Sequence, residues 1–419
     1  MSKGSLSCLV STVVVLWTAT ACVRAAEGTE WYQWRGPNRD GISTDTGLLR
    51  QWPAGGPRLV WKATGLGGGF SGVSLWADRV FTMGDKADGS YLLAFSRVDG
   101  RPLWSAKVGK AGGNDPERPG PRCTPATDGT RVITLGQYGE LVCADAATGK
   151  ELWRKGYQED LGATTVPQWN FSESPLLDGG RVICLPGGPK GTMAALNKET
   201  GDLVWQTQEV TDNASYSSVI TAEIGGVRQY IAATDVQVFG VDAATGKVLW
   251  RAARAARNVI PTPLYGDGIV FLSSGYNAGG HGFRITSENG AFKAEPIYAD
   301  VKIANQHGGS FLVGEHVYTS IDSGGLLTCL EFKTGKVVWQ DRSVGKASLG
   351  CADGLLIVRS ERGPVALVEA TPEGYREKGR FDQSDRSKYN SWPHPVIAGG
   401  RLYLRDQDTL LCYDLKAGQ

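Results

Sequence analysis

Short apolar runs separated by polar turns recur along this chain, and several share one outline. LVCADAATGKELW at 141–153 returns as VFGVDAATGKVLW at 238–250 and LTCLEFKTGKVVW at 327–339, and more loosely as AALNKETGDLVW at 194–205 and LAFSRVDGRPLW at 93–104. Each reads as a strand, a turn and a second strand closing on Trp. Alternating apolar positions before Asp145 or Asp242 predict a half-buried strand. Gly149 or Gly246 lets the chain reverse, and the Asp side chain caps the amides of the turn.

Upstream of each hairpin lies another strand pair with its own turn, as in TPATDGTRVITLG, SPLLDGGRVICLP and HPVIAGGRLYLRD. Four strands in a repeat of roughly 40–50 residues match the blade of a β-propeller rather than a helical solenoid. The closing Trp needs more buried surface than one blade offers, so it should dock against the next blade. Fourth strands end at Trp104, Trp153, Trp205, Trp250 and Trp339, with degenerate ones near Ile297 and Phe381. The chain then stops at LLCYDLKAG, a third strand and turn, while PRLVWKATG at 57–65 supplies a fourth strand with Trp61 in the docking position. The predicted fold is therefore all-β: eight four-stranded antiparallel blades, the last closed by the N-terminal strand pairing with the C-terminal blade. Seven blades with a separate N-terminal strand is the alternative.

Composition narrows the setting. With 44 Lys and Arg against 43 Asp and Glu, no global field exists to draw nucleic acid or an anionic membrane. Lys3, the apolar stretch Leu6 to Ala21 and the small residues before Glu27 read as a secretory signal peptide over 1–25, the apolar centre being too short to span a bilayer. Ala19-Thr20-Ala21-Cys22 resembles a lipobox, so anchoring through Cys22 is a second route to the same periplasmic or secreted location. Residues 26–56 form an N-terminal extension and 57–419 the propeller. Cys143, Cys329 and Cys412 occupy equivalent positions of different repeats, too far apart to bridge, and are read as small buried residues. RAARAARN at 251–258 is read as a solvated edge.

The run ADAATGKELW at 144–153 resembles the repeat of pyrroloquinoline-quinone (PQQ) type propellers, and the likeness covers most of the chain. That repeat is shared by quinoprotein alcohol dehydrogenases and by the propeller lipoprotein of outer-membrane protein assembly. WYQWRGPNRDGIS at 31–43 is similar to the opening of a group of PQQ-like propellers abundant in planctomycetes. For the dehydrogenases the resemblance implies a channel-bound PQQ, a Ca²⁺ held by acidic and amide side chains, and a carboxylate base. This sequence has neither the adjacent cysteine pair of those enzymes nor a CxxCH haem motif.

A site belongs where the first strand of each blade begins, around the channel mouth. Arg122, Trp169, Tyr216, His307, Trp392 and His394 are the candidate cofactor or ligand contacts there, and Glu173 with Asn170 the candidate metal ligands. For each, the competing role is structural: Glu173 as an amide cap, the tryptophans between blades, the histidines in hydrogen bonds. The reading that results is a monomeric binding or scaffolding propeller with a protein, glycan or small-molecule ligand at the channel mouth. The alternative is a PQQ- and calcium-dependent alcohol or sugar dehydrogenase.

Overall fold

The computed structural model describes residue 1, residues 30–113 and residues 117–418. The expected signal peptide and Cys22 lie outside the described residues. Eight sheets form the blades in chain order: 74–109, 126–156, 176–206, 220–253, 264–300, 310–341, 347–382, and a last blade joining 396–414 to Leu59–Ala63. Leu59 faces Tyr413 and Trp61 faces Cys412 in antiparallel register, so both chain ends build blade 8 and the ring closes. The seven-blade alternative falls.

Third strands are buried on both faces rather than half-buried; Glu140–Asp145 is covered at every position but its ends. The blades stack face to face, so amphipathic alternation survives in the outermost strands, such as Glu151–Gly156. The turn expectation holds: Asp145 Oδ1 accepts from the amides of Ala147 and Thr148 and from the Thr148 hydroxyl, and Asp242 repeats the pattern.

Each closing Trp lies across from a small residue of its own third strand: Ala94 under Trp104, Cys143 under Trp153, Ala195 under Trp205, Gly240 under Trp250, Cys329 under Trp339. For Trp104, Trp153 and Trp205 the other face meets a glycine in the turn of the following blade. Gly149 has φ +76°, and a Cβ there would stand 2.6 Å from the Trp104 ring, so glycine is required by conformation and by space. The indole N–H then donates to that neighbouring turn, from Trp104 to Ala146 O at 3.2 Å and from Trp153 to Lys198 O at 2.9 Å. The six described cysteines are all free and buried.

Two blades solve the docking differently from expectation. In blade 5 the docking residue is Tyr298, whose hydroxyl donates to Phe332 O at 2.7 Å; Ile297, one position earlier, points outward and is exposed. In blade 7 the position belongs to Gly379, and the missing ring arrives from elsewhere: Trp52 packs over it, 4% exposed, with its amide donating to Lys378 O and its ring edge-on to Phe381 at 5.3 Å. RAARAARN is no uniform edge either. Arg254 is buried and donates to Gly279 O in blade 5.

Trp52 lies outside every repeat yet fills a repeat position, so its loss should cost what loss of a blade Trp costs. Trp52→Ala and Trp153→Ala are each expected to lower stability by about 3–5 kcal/mol in urea unfolding; a Trp52 effect below about 1 kcal/mol would show the arm to be dispensable.

Candidate functional site

The inner strand of every blade turns one edge toward the channel, leaving carbonyls with no neighbouring strand. Residues 31–45 answer this by crossing the channel. The Trp31 backbone pairs with Leu75 in blade 1, Thr127 N donates to Tyr32 O in blade 2, and Leu177 N donates to Gln33 Oε1 in blade 3. Trp34 Nε1 reaches Thr262 Oγ1 of blade 5 at 2.9 Å, Ile42–Ser43 runs parallel to Cys351 and Ala352 of blade 7, and Asp45 accepts from Gly400 N of blade 8.

Two arginines carry most of this insertion. Arg39 donates to Ser174 O at 2.7 Å and Pro175 O at 3.1 Å, and Arg35 donates to Ser310 O and Asp40 O. Desolvation lowers their pKa values to about 9 and about 10, so both stay cationic at neutral pH. The turn that follows them is tight: a Cβ on Gly41 would sit 2.4 Å from the Phe311 ring.

The segment enters from the end of the ring that carries the first-to-second strand turns. It closes that end and leaves a cup opening where the inner strands begin. The cup is a cavity of about 380 Å³, floored by Trp34 and Arg35. Arg122, Trp169, Tyr216, His307, Trp392 and His394 all line it, together with Arg118, Phe70, Tyr276, Gln306, Lys346 and Glu361. One wall holds Trp169 and Tyr276 with rings 16° from parallel and centroids 6.2 Å apart. Opposite them Phe70 meets Trp392 at 4.6 Å. Arg118 lies 5.7 Å over Trp392 and Arg122 lies 5.4 Å over Phe70.

Hydrogen bonding inside the cup is uneven. Glu361 Oε1 accepts from Trp392 Nε1 at 2.8 Å and stands 3.4 Å from His307 Nε2 and 3.7 Å from Lys346 Nζ. Gln306 Oε1 accepts from Lys346, Tyr276 OH from Gln306 Nε2, and Tyr216 OH from Trp169 N. His394 Nε2 donates to His307 O at 2.8 Å, and its ring packs on Trp34 at 4.7 Å. Burial holds both histidines neutral: it lowers His394 to about 3 and His307 well below its ordinary value.

Asn170 and Glu173 do not join this cup. Both are buried beneath it, Asn170 in a left-handed turn at φ +65°. Glu173 points between blades 2 and 3, where its Oε1 accepts from Tyr157 OH and Leu185 N. Asn170 and Glu173, expected as a cation pair at the mouth, are thus not among the residues that line the cavity, whereas their neighbours Trp169 and Ser172 are. The entrance rule would also have found Phe70 and Lys346, which precede first strands. Tyr276 and Glu361 were missed because they sit on second-to-third strand loops, which open on the same face. Trp34 and Arg35 had no repeat signal to mark them.

A closed ring of eight four-stranded blades, most of them closed by a docking Trp, defines a PQQ-like repeat propeller. The family model for outer membrane protein assembly factor BamB matches residues 88–341, more than half of the chain, and the chain belongs to that family. BamB of Shewanella oneidensis is 25% identical over 252 residues, covering 56% of this chain and 60% of that protein, so this chain spans less than two thirds of that relative. BamB of Moranella endobia is 22% identical over 327 residues, covering 75% of this chain and 70% of that protein. Among solved structures, BamB from Moraxella catarrhalis superposes with a TM-score of 0.59 at 16% identity, covering 83% of this chain and 95% of that one. The quinohemoprotein alcohol dehydrogenase from Comamonas testosteroni superposes with a TM-score of 0.54 at 13% identity, covering 94% of this chain and 82% of that one. Both show the fold. No helix of the described residues is long and apolar enough to cross a membrane.

Glu173 makes a test of the inner packing. Desolvation raises its pKa to about 7 from an ordinary 4.5, so the folded state holds the proton more tightly than the unfolded chain. The stability this confers is full below 4.5 and is lost as pH rises through about 7. Glu173→Gln should therefore match the parent in thermal unfolding at pH 5 and exceed it at pH 8 by roughly 3 kcal/mol; equal gains at both pH values would rule out titration as the cause.

Proposed function

We propose that this protein is an extracytoplasmic binding and scaffolding propeller whose cup at the channel mouth holds the recognised group of a partner or ligand. The observation that carries this reading is the plug. It turns an open channel into a single-ended aromatic pocket of ordinary ligand-site size, walled by rigid blade entrances. The BamB relatives, named as outer membrane assembly factors, support the scaffolding part of the reading.

The dehydrogenase alternative asks for a hard cation with six to eight oxygen ligands. Among the described residues lining the cup the single carboxylate is Glu361, which already accepts from Trp392 and faces Lys346. Asn170 and Glu173 are turned away from it. The donor set does not fit calcium.

Calorimetric titration with PQQ, with and without Ca²⁺, tests this beside a dye-linked oxidation assay over alcohols and sugars. The expected outcome is no turnover and an affinity that Ca²⁺ changes by less than about twofold. Calcium-dependent tightening with turnover would make the protein a quinoprotein dehydrogenase. Thermal-shift screening of glycans, peptides and small acids against the parent and Trp392→Ala checks the cup itself, since ligands it holds should lose their stabilising effect in the variant.

A further inference from the structure

An asparagine is chemically labile where the backbone nitrogen of the next residue can reach its side-chain carboxamide carbon. That reach requires a following residue without bulk, a following N–H that holds no hydrogen bond, and a carboxamide that is not tied down.

Asn289-Gly290 is the one Asn-Gly pair in the chain. It forms the two-residue turn of the outer hairpin of blade 5, between Glu288 and Ala291, which pair across it. Both residues are left-handed, at φ +50° and φ +78°, the conformation for which such a turn selects Asn-Gly. The strands Gly279–Glu288 and Ala291–Asp300 are ten residues each, and no other described strand exceeds eight. Every residue from Thr286 to Ala291 is exposed, and a Cβ on Gly290 would meet nothing within 4 Å. Among the described residues no hydrogen bond holds the Gly290 N–H or the Asn289 side chain. Two other asparagines with small followers are locked. At Asn390-Ser391 the buried Ser391 donates its N–H to Glu361 O at 2.9 Å, and at Asn277-Ala278 the Ala278 N–H donates to Gly275 O at 3.1 Å.

We propose that Asn289 is a site of spontaneous modification, converted as molecules age to aspartate and isoaspartate, and that the isoaspartate form unpairs the end of the blade 5 hairpin. The bond from Gly290 N to Cγ forms as the Cγ–Nδ2 bond breaks, the amide proton leaving with the nitrogen as ammonia and a succinimide ring remaining. Water then opens the ring. Opening at the side-chain carbonyl restores an ordinary backbone with aspartate; opening at the backbone carbonyl routes the chain through the former side chain and lengthens it by a carbon. Asp-Gly suits the same turn, so the first product keeps the hairpin. The second puts an extra backbone atom into a two-residue loop, and the register which that loop fixes is lost. Phe292 depends on the register: it packs on the apolar cluster shared by blades 4 and 5, where it and Ser287 close over Gly225. The turn also sets the pace. Asn289 must leave its left-handed conformation before the nitrogen reaches Cγ, so the rate follows opening of the hairpin tip rather than global unfolding.

Storage of the whole protein at mildly alkaline pH, followed by tryptic mapping, tests this. The fragment 285–293, cut after Arg284 and Lys293, should gain about 1 Da and split into aspartate and isoaspartate forms, at least about tenfold faster than fragments holding Asn277 or Asn390 are converted. It should convert more slowly than the synthetic peptide 285–293, which no hairpin restrains. Asn289→Gly keeps a Gly-Gly turn and should remain unmodified with an unchanged melting temperature. In hydrogen exchange, chromatographically separated isoaspartate protein should lose protection on both sides of the turn, through Ile285 and Phe292, while Asn289→Asp exchanges like the parent. Conversion of Asn289 no faster than that of Asn390, or a protein left intact while the free peptide converts fully, would overturn the site. Parental exchange around Phe292 in the isoaspartate protein would overturn the consequence for blade 5.

Discussion

Much of this molecule depends on one contact repeated at Trp61, Trp104, Trp153, Trp205 and Tyr298: an aromatic ring laid between a small residue of its own blade and a glycine turn of the next. The contact is demanding on both sides. A Cβ on Gly149 would stand 2.6 Å from the Trp104 ring, and one on Gly201 would stand 2.8 Å from Trp153. Because each blade is finished only by its neighbour, a chain of such blades has no stable end until it closes. Closure comes from pairing Leu59–Ala63 with the final hairpin, which places Trp61 over Arg97 O and leaves no edge strand inside the ring.

Closure raises a second constraint at the axis. Eight inner strands present unpaired carbonyls to a channel too wide for side chains of the strands themselves to fill. The residues before the first blade solve it with backbone pairing at the walls and two buried guanidinium groups in the middle. A guanidinium suits this task because it donates in several directions and stays charged even when desolvation lowers its pKa to about 9. The same segment then supplies Trp52 to the one blade whose fourth strand has glycine where the ring should be. What reads in the sequence as an extension is thus a working part of the propeller.

The plug also decides what the protein can do. An open channel would offer two rims and a passage; a floored one offers a cup with a fixed depth. The residues that could have served a hard cation are turned into the inter-blade space, where Tyr157 and the Leu185 amide bind the Glu173 carboxylate. The fold is shared with a quinohemoprotein dehydrogenase, but function resides in the side chains placed on that common scaffold.

The repeat determined a great deal without any structure. Trp, Gly and Asp at fixed spacing are local signals, so the all-β class, the blade count and the closure by both termini could be read from the chain. The mouth residues Arg122, Trp169, Tyr216, His307, Trp392 and His394 could be read too, because the start of each first strand is a fixed point of the repeat. Other features were decided only in three dimensions. Whether Glu173 or Trp169 faces the channel depends on the direction of one residue at a strand entrance, which no pattern at single-blade length encodes. The role of Trp34, Arg35, Arg39 and Trp52 depends on a non-repeating segment finding carbonyls and a vacant ring position that exist only after the eight blades have closed around it.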